Sequence, residues 1–227
     1  MSAVVRAKST RMAGQNEETR QRLLRAASEV FVEHGFHGAT VREICHRAKV
    51  NLALVNYYFG DKLELYTEVL RSAMKDPERL REMRDLFAQT DKPEIVLRKF
   101  IHALLRLMIH RRQSGAIHMQ LMLHELARPT TATARVVDET VKPMHNRLRL
   151  LVGQILGLPA SHSKTRLCTQ SIIGQTIHYA HHSPVISRLW PELTMTPKQQ
   201  EMVADHIADF SLSYLKSFGL KTRKAAK

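Results

Sequence analysis

The 227-residue chain is poor in the residues that mark disulfide-rich, metal-bound and membrane-spanning proteins. It has only two cysteines, Cys45 and Cys168, which lie far apart on apolar faces of predicted helices and form no metal or redox spacing. No apolar run approaches the roughly 18 residues that cross a bilayer, and the N-terminal residues contain no signal-peptide apolar region. We therefore expect a soluble protein of the reducing cytoplasm, with no membrane partner.

Signals for β-structure and for catalysis are missing as well. Apolar and polar residues do not alternate, and β-branched residues do not cluster, so no segment is predicted to be a strand. The sequence has no phosphate-binding loop after a strand, no nucleophile elbow and no HExxH motif. His124 and Glu125 are adjacent but lack the second histidine of a metalloprotease helix. The sequence predicts an all-α protein without enzymatic activity and without a bound cofactor.

Positive charge is what the chain has in excess. It contains 35 lysines and arginines against 21 acidic residues, a formal net charge of +14, and its sequence pI is about 10.2. This balance favours an anionic partner, with nucleic acid first and an anionic membrane surface second. A basic surface that only keeps the protein soluble is the alternative, so the choice depends on motifs.

The most informative motif lies between residues 39 and 62. Thr40 and Glu43 have the spacing of a capping box at the start of a short amphipathic helix. Residues 49–51 break that helix, and Asn51 can cap a second one that runs to about Tyr57. This pattern predicts a helix-turn-helix whose second helix enters the DNA major groove.

Residues from about 17 to 70 resemble the DNA-binding domain of the TetR/AcrR family of bacterial regulators. The matching positions are Ala26, Ala27, Phe31, His34, Gly35, Phe36, Ala39, Thr40, Ile44, Ala48, Lys49, Val50, Tyr57, Tyr58, Phe59, Lys62, Leu65 and Leu70. Lys49 is a departure, since the family usually has glycine at this turn position. A non-glycine residue with positive φ costs about 1 kcal/mol there.

The resemblance implies two sets of DNA-binding residues. Those placed to touch base edges and neighbouring phosphates are Asn51, Leu52, Ala53, Leu54 and Asn56, and those placed to hold the backbone are Thr40, Arg42, Tyr57, Tyr58 and Lys62. Asparagine can pair with adenine, and leucine or alanine can meet a thymine methyl group. Packing is the alternative for Tyr57 and for at least one of Leu54 and Val55, whereas Phe59 is expected in the core.

The predicted organisation is a basic arm, a DNA-binding domain and a larger helical domain. The arm covers residues 1–15 and includes Arg6, Lys8 and Arg11. The helix-turn-helix domain covers 16–62, with helix four at 62–75 as connector. The helical ligand-binding and dimerisation domain covers 76–219, with a basic tail at 220–227. Its helices are expected at 77–88, 93–113, 116–126, 131–157, 163–182 and 197–218, with Gly219 ending the last one.

The second domain carries a looser resemblance to the CecR-like C-terminal domain found behind some TetR-type DNA-binding domains. The matching segments are Glu125–Thr130, Val141 with Pro143, Leu148 with Leu151 and Val152, and Cys168 through Gln175. Apolar stripes on its last helices predict a dimer interface formed by Ile173, Ile177, Val203, Ile207, Phe210 and Tyr214. Such stripes can equally belong to the core of one chain.

Polar groups on otherwise apolar helices predict a small-molecule site in the same domain. The candidates are His118, Met122, Glu125, Gln175, His178 and Tyr179. A buried hydrogen-bond network is the alternative for the polar groups, and core filling is the alternative for the methionine. His178 and His182 have the i, i+4 spacing of metal ligands, but no further motif supports a metal, and none is expected.

These features together predict a ligand-responsive transcriptional regulator that binds a palindromic operator as a dimer, most simply a repressor released by a small-molecule inducer. The partners expected are double-stranded DNA, a second copy of the chain and an effector of unknown chemistry. Two alternatives remain open at this stage. One is a non-specific, nucleoid-type basic protein without a ligand, and the other is a helical metal-binding protein.

Overall fold

The computed structural model describes residues 2–74, 76–88, 91–113, 116–181 and 184–225. Side chains are described for 14–74, 76–88, 91–110, 117, 120–121, 124–125, 127–181 and 185–219. None of the described residues forms a strand, which confirms the all-α fold. The helices are α1 (Ser2–Gly38), α2 (Val41–Ala48), α3 (Leu52–Phe59), α4 (Lys62–Met74), α5 (Pro77–Leu86), α6 (Pro93–Gln113), α7 (Ala116–Ala127), α8 (Thr131–Val136), α9 (Lys142–Leu156), α10 (Ser163–His181), α11 (Pro184–Leu189) and α12 (Pro197–Ala225).

The chain forms two compact units, and the first of them is discontinuous in sequence. It comprises Met1–Lys75 together with Ala116–Thr140. Helix α1 packs against α2, α4 and α7, and α4 packs against α8. The core contains Phe31, Ile44 and Tyr66 from the N-terminal helices, and Leu121 and Val136 from α7 and α8.

The compact units differ from the predicted domain boundaries at residues 116–140. The prediction assigns them to one continuous helical domain over 76–219, whereas the structure places them in the first unit. The physical reason is packing at long range, because Leu121, Ala132 and Val136 are all buried in the core that α1 and α4 form. Helical periodicity shows that such residues face a core but does not show which core.

Helix α1 starts much earlier than predicted. The sequence predicts a flexible arm through residue 15, but the helix begins at Ser2 and takes in that segment; the side chains of Arg6, Lys8 and Arg11 lie outside the described residues. The segment has no proline, and Gly14 is its least favourable residue for a helix, at a cost of about 1 kcal/mol. At the other end Gly35 has φ 65° and ψ 177°, so the helical backbone is interrupted there, three residues before α1 ends at Gly38.

The second unit comprises Asp76–Gly115 and Val141–Lys227. Helix α6 packs against α5, α9, α10 and α12, and its buried residues include Leu97, Phe100 and Ile101. Helix α12 begins with a capping box, since the Thr196 hydroxyl accepts a hydrogen bond from the Gln199 amide while the Gln199 side chain accepts one from the Thr196 amide. The short helix α11 has no counterpart in the prediction.

The segment predicted as one helix over 131–157 is interrupted by a π-helical turn at Val137–Val141. Pro143 lies two residues after the end of this turn, and its ring lacks the N–H that would donate to a carbonyl one turn earlier. The Thr140 hydroxyl also donates to the Val136 carbonyl at 2.5 Å. Both effects disturb regular helical hydrogen bonding at this point, which accounts for the widened turn.

Gly219 does not end the last helix, contrary to the prediction, because α12 continues to Ala225. The glycine serves packing instead. A Cβ atom at this position would lie 2.9 Å from the Ile155 carbonyl oxygen, closer than van der Waals contact allows. A residue that reads as a stop signal in sequence is thus a point of close approach between α9 and α12.

The structure also bears on the two cysteines and on the question of membrane-spanning helices. Cys45 and Cys168 are both free and buried, and burial raises the pKa of each thiol, so neither is poised to react. Among the described residues, no helix is long and apolar enough to cross a membrane.

Candidate nucleic-acid interface

Helix α2 begins as the sequence predicts, although only half of the capping box forms. The Glu43 amide donates to the Thr40 hydroxyl at 3.2 Å. The Glu43 carboxylate does not return to the Thr40 amide; it accepts from Arg47 at 2.8 Å. Thr40 remains exposed at the helix start, where a phosphate oxygen can also be bound.

The turn between α2 and α3 has the left-handed geometry expected at this position. Lys49 has φ 53° and ψ 50°, and the Val50 amide donates to the Cys45 carbonyl at 3.0 Å. Lysine therefore occupies a conformation that glycine adopts more readily, and its side chain is exposed.

Helix α3 has one inward face and one outward face. Asn51 caps it by accepting from the Ala53 amide at 3.0 Å. Val55 and Phe59 are buried in the core of the unit, while Leu52, Ala53 and Asn56 are exposed and Leu54 is half-buried. The residues predicted to meet base edges thus share one accessible end and side of the helix, and Val55 is the structural member of the Leu54–Val55 pair.

The aromatic residues at the end of α3 have separate environments. Tyr57 is 74% exposed, so packing in the core does not account for it. Tyr58 is half-buried, and its hydroxyl donates to Asn16 at 3.2 Å. Phe59 is in the core as expected, with the Arg20 guanidinium 5.4 Å from its ring centre.

The remaining backbone-binding candidates are two cations, Arg42 on α2 and Lys62 at the start of α4. Arg42 is exposed and makes no ion pair with any described residue, so its charge is available to a phosphate. Lys62 is half-buried, with its ammonium nitrogen 4.6 Å from the centre of the Phe36 ring. Burial lowers the pKa of this ammonium group from its ordinary value. All ten predicted DNA-binding residues lie on or beside α2, α3 and the first turn of α4.

A cluster of Glu33, His34 and Glu43 lies on the same unit and resembles a metal site in composition. The oxygen and nitrogen atoms that could bind a metal lie within 4.8 Å of one another. Arg47 already donates to both Glu33 oxygens, at 2.6 and 2.5 Å, and this hydrogen bond lowers the pKa of the Glu33 carboxyl group. The guanidinium group supplies the positive charge, so the cluster is an ion-pair network.

The residues predicted to bind an effector are distributed over both units. His118, Met122 and Glu125 are on α7 in the first unit, and Gln175, His178 and Tyr179 are on α10 in the second. The side chains of His118 and Met122 lie outside the described residues, as does His182, the proposed metal partner of His178. His178 is exposed, and Tyr179 packs against the core of its unit.

Glu125 has a structural environment in the first unit. Its side chain is buried, and its carboxylate accepts from the Tyr66 hydroxyl at 2.8 Å and from the Thr130 amide at 2.8 Å. The hydroxyls of Thr130 and Thr133 donate to it as well. This is the buried hydrogen-bond network that stood as the alternative to a ligand site.

The second unit contains a cavity that was not predicted from the sequence. It has a volume of about 530 Å³ and lies between α5, α6 and α9. Its walls combine apolar and charged side chains: Arg84, Phe87, Ala88, Asp91, Pro93, Val96, Arg147, Leu150, Leu151 and Gln154. These residues come from three helices and a loop, so no single sequence pattern marks them.

The residues of the predicted dimer stripe on α12 differ in their exposure. Val203 and Ile207 are buried within their own unit, so they have no surface left for a second chain, whereas Phe210 and Tyr214 are 62% and 45% exposed. The row that faces the core comprises Ala204, Ala208, Ser211 and Leu215, each one residue after a member of the predicted stripe. The stripe thus runs along the edge of the buried face. Ile173 and Ile177 on α10 are half-buried.

An exposed apolar groove does exist between α10 and α12. It is lined by Lys164, Leu167, Cys168, Ser171, Ile172, Gln175, Phe210, Ser211, Tyr214 and Leu215, and has a volume of about 220 Å³. Leu167 is 64% exposed, although its sequence position gave no reason to select it. Gln175, predicted to bind an effector, lies in this groove.

Two short helices joined by a tight turn, with polar and apolar side chains exposed on the second helix, define a helix-turn-helix DNA-binding protein. Comparison with known families makes the class specific. Residues 23–69 match the family of bacterial regulatory proteins of the TetR type, and residues 93–215 match the C-terminal domain of the HTH-type transcriptional dual regulator CecR. The chain belongs to the TetR family of bacterial transcriptional regulators and, within it, to the group with a CecR-type C-terminal domain.

Individual relatives agree with this assignment. The dual regulator CecR of Shigella flexneri is 29% identical over 181 residues, which cover 74% of this chain and 78% of that protein. The transcriptional activator FasR of Mycolicibacterium smegmatis is 49% identical over 55 residues, about a quarter of each chain. The regulator FadR from Bacillus subtilis, solved with stearoyl-CoA, shares the fold with a TM-score of 0.56 at 18% identity, over 86% of this chain and 98% of that one.

Proposed function

We propose that this regulator reads a palindromic operator in the cytoplasm as a homodimer and responds to a small-molecule effector, with no catalytic role. The observation that carries the proposal is the outward face of α3, where Leu52, Ala53 and Asn56 are exposed, together with the exposed cation Arg42 on α2 and the half-buried Lys62 at the start of α4. Amide and methyl groups on a short helix suit base edges, while cations and helix starts suit phosphates.

The dimer is supported by the exposed apolar surface of α10 and α12. Leu167, Phe210 and Tyr214 surround the groove, and Met202 is also 48% exposed on α12. Ser171 and Gly174 are exposed on α10, so a second helix could approach it closely. A twofold dimer would give the protein two recognition helices, and a palindromic site is the matching DNA.

An effector site is supported by the cavity between α5, α6 and α9. Its volume falls in the range of small-molecule sites, about 300–1,000 Å³. An effector can change DNA binding only through a difference in its affinity for two states of the protein, and a tens-fold change requires about 2 kcal/mol of coupling. We propose release of the operator on effector binding, and hence repression.

Selection from a random duplex pool at physiological salt tests this function. Enrichment of one palindrome with half-sites about one helical turn apart is the expected result. Retention that is sensitive to salt but enriches no sequence would show a non-specific basic DNA-binding protein instead, and absence of retention would contradict the proposal. The selected operator then serves to assay candidate effectors by release of the DNA, and transcription from it distinguishes repression from activation.

Replacing Lys62 by Ala is expected to weaken binding to every duplex to a similar degree. One phosphate contact fewer should reduce the slope of log affinity against log salt by about 0.9. Titrations of the operator and of a scrambled duplex between 50 and 200 mM salt measure both effects. An unchanged slope would remove Lys62 from the phosphate-binding set.

Replacing Asn56 by Ala is expected to change the preference among operators rather than binding to all DNA. An asparagine that reads a base contributes about 1–3 kcal/mol of discrimination at that base pair. Affinities for the operator and for its single-base variants measure the change. An equal loss on every duplex would contradict a base-reading role and place Asn56 with the backbone contacts.

A further inference from the structure

The ammonium group of Lys62 does not extend freely from the protein surface. It lies 4.6 Å from the centre of the Phe36 ring, within the range of a cation–π interaction, and the side chain is half-buried. A lysine on the surface normally has many rotamers, and most of them would direct its charge away from a bound phosphate. The ring limits this freedom before DNA is present.

The Phe36 ring is itself held from below by aromatic contacts. Its centre lies 5.1 Å from that of Tyr66 and 6.4 Å from that of Phe31. Both of these side chains are completely buried. Phe36 directly follows Gly35, where the backbone departs from helical geometry. The aromatic contacts hold its ring against the core.

Tyr66, which contacts the Phe36 ring, is in turn held by a hydrogen bond to the α7–α8 segment. The Tyr66 hydroxyl donates to the buried carboxylate of Glu125 at 2.8 Å, and the remaining acceptor positions of that carboxylate are used by Thr130 and Thr133. A buried carboxylate whose acceptor positions are all occupied holds its donors in one geometry. Residues 62, 36, 66 and 125 thus form a continuous series of contacts inside one compact unit.

We propose that Phe36 is a positioning residue for DNA binding, which presents the Lys62 ammonium group to a backbone phosphate, with Tyr66 and Glu125 fixing the ring. The inference rests on the proposed phosphate contact of Lys62. Phe36 has no contact with DNA of its own in this scheme, because the positive charge lies over its face.

A double-mutant cycle between Phe36→Leu and Lys62→Ala tests the proposal with the full-length protein and the selected operator. Phe36→Leu is expected to weaken binding about two- to fivefold, the size of an exposed cation–π interaction. It should also lower the salt slope toward that of Lys62→Ala. In the Lys62→Ala background the same change should have no further effect on affinity, because the group that it positions is absent.

Phe36→Tyr is the matched control, because it retains an aromatic face under the ammonium group and should preserve affinity and salt slope. Thermal unfolding of each variant establishes that it is folded, and Phe36→Met provides a second ring-free variant if leucine is not tolerated. Equal losses from Phe36→Leu with and without Lys62 would overturn the positioning role, as would no loss at all. A Lys62→Ala variant that binds normally would instead show that the phosphate contact assigned to Lys62 is wrong.

Discussion

Replacing Phe210 by Glu is expected to convert the dimer into a monomer and to reduce operator affinity by about 10²–10⁴-fold. The side chain is 62% exposed beside the groove between α10 and α12, where the proposed interface places it against a second chain. A carboxylate there would be desolvated without a partner charge. A monomer binds only one half-site and loses the gain that comes from linking two binding events. Light scattering after size-exclusion chromatography and operator titrations measure the two effects.

Leu189→Glu is the matched control for this experiment. Leu189 is 80% exposed in the same unit, but it lies on α11 and is not among the residues that line the groove between α10 and α12. The same change of apolar to acidic side chain at this position should leave both mass and operator affinity unchanged. A Phe210→Glu protein that remains a dimer would contradict the proposed interface and leave the groove without its assigned partner.

The apolar stripe on α12 shows what such a pattern in sequence can and cannot establish. The stripe of Val203, Ile207, Phe210 and Tyr214 has helical spacing, and the sequence correctly indicates an amphipathic helix. Yet the centre of the buried face is a row of small residues such as Ala204 and Ala208, which hydrophobicity alone does not select. Whether such a stripe lies in the core of one chain or at an interface depends on which helices pack alongside it, and those helices are distant in sequence.

The helix-turn-helix could be predicted in more detail because its signals are local. Thr40 and Asn51 cap helices through hydrogen bonds to amides two or three residues away, and Lys49 adopts the left-handed turn that its position requires. The outward face of α3 then follows from Val55 and Phe59, which face the core. The Glu43 carboxylate is the exception. Arg47, one helical turn away, donates a hydrogen bond to it, and the predicted hydrogen bond from the Thr40 amide does not form.

The proposed effector site could not be predicted in the same way, because it depends on contacts between distant segments. Glu125 reads as a polar group on an apolar helix, which suits a ligand site or a buried network equally. Its partner Tyr66 lies 59 residues earlier in the chain, and nothing in the sequence near either residue links them. The cavity between α5, α6 and α9 has the same dependence on long-range packing.

Replacing Glu125 by Ala is expected to lower the free energy of unfolding by about 2–5 kcal/mol. The change leaves the Tyr66 hydroxyl and the Thr130 amide without their acceptor in a buried site, and each buried unsatisfied group costs about 1–3 kcal/mol. It also removes one of the hydrogen bonds that join α4 to the α7–α8 segment. Urea unfolding followed by circular dichroism measures the loss, and operator affinity should fall with it if Lys62 depends on this support.

Glu64→Ala is the control that separates burial from the mere loss of an ion-pair partner. Glu64 also joins α4 to α8, through a hydrogen bond from Arg135, but its side chain is 46% exposed. Water can replace the lost contact there, so the expected change is about 0.2–1 kcal/mol. If Glu125→Ala were no more destabilising than Glu64→Ala, the buried network would not be what holds residues 116–140 to the DNA-binding helices. Apolar contacts of Leu121, Ala132 and Val136 would then have to account for the composition of the first unit.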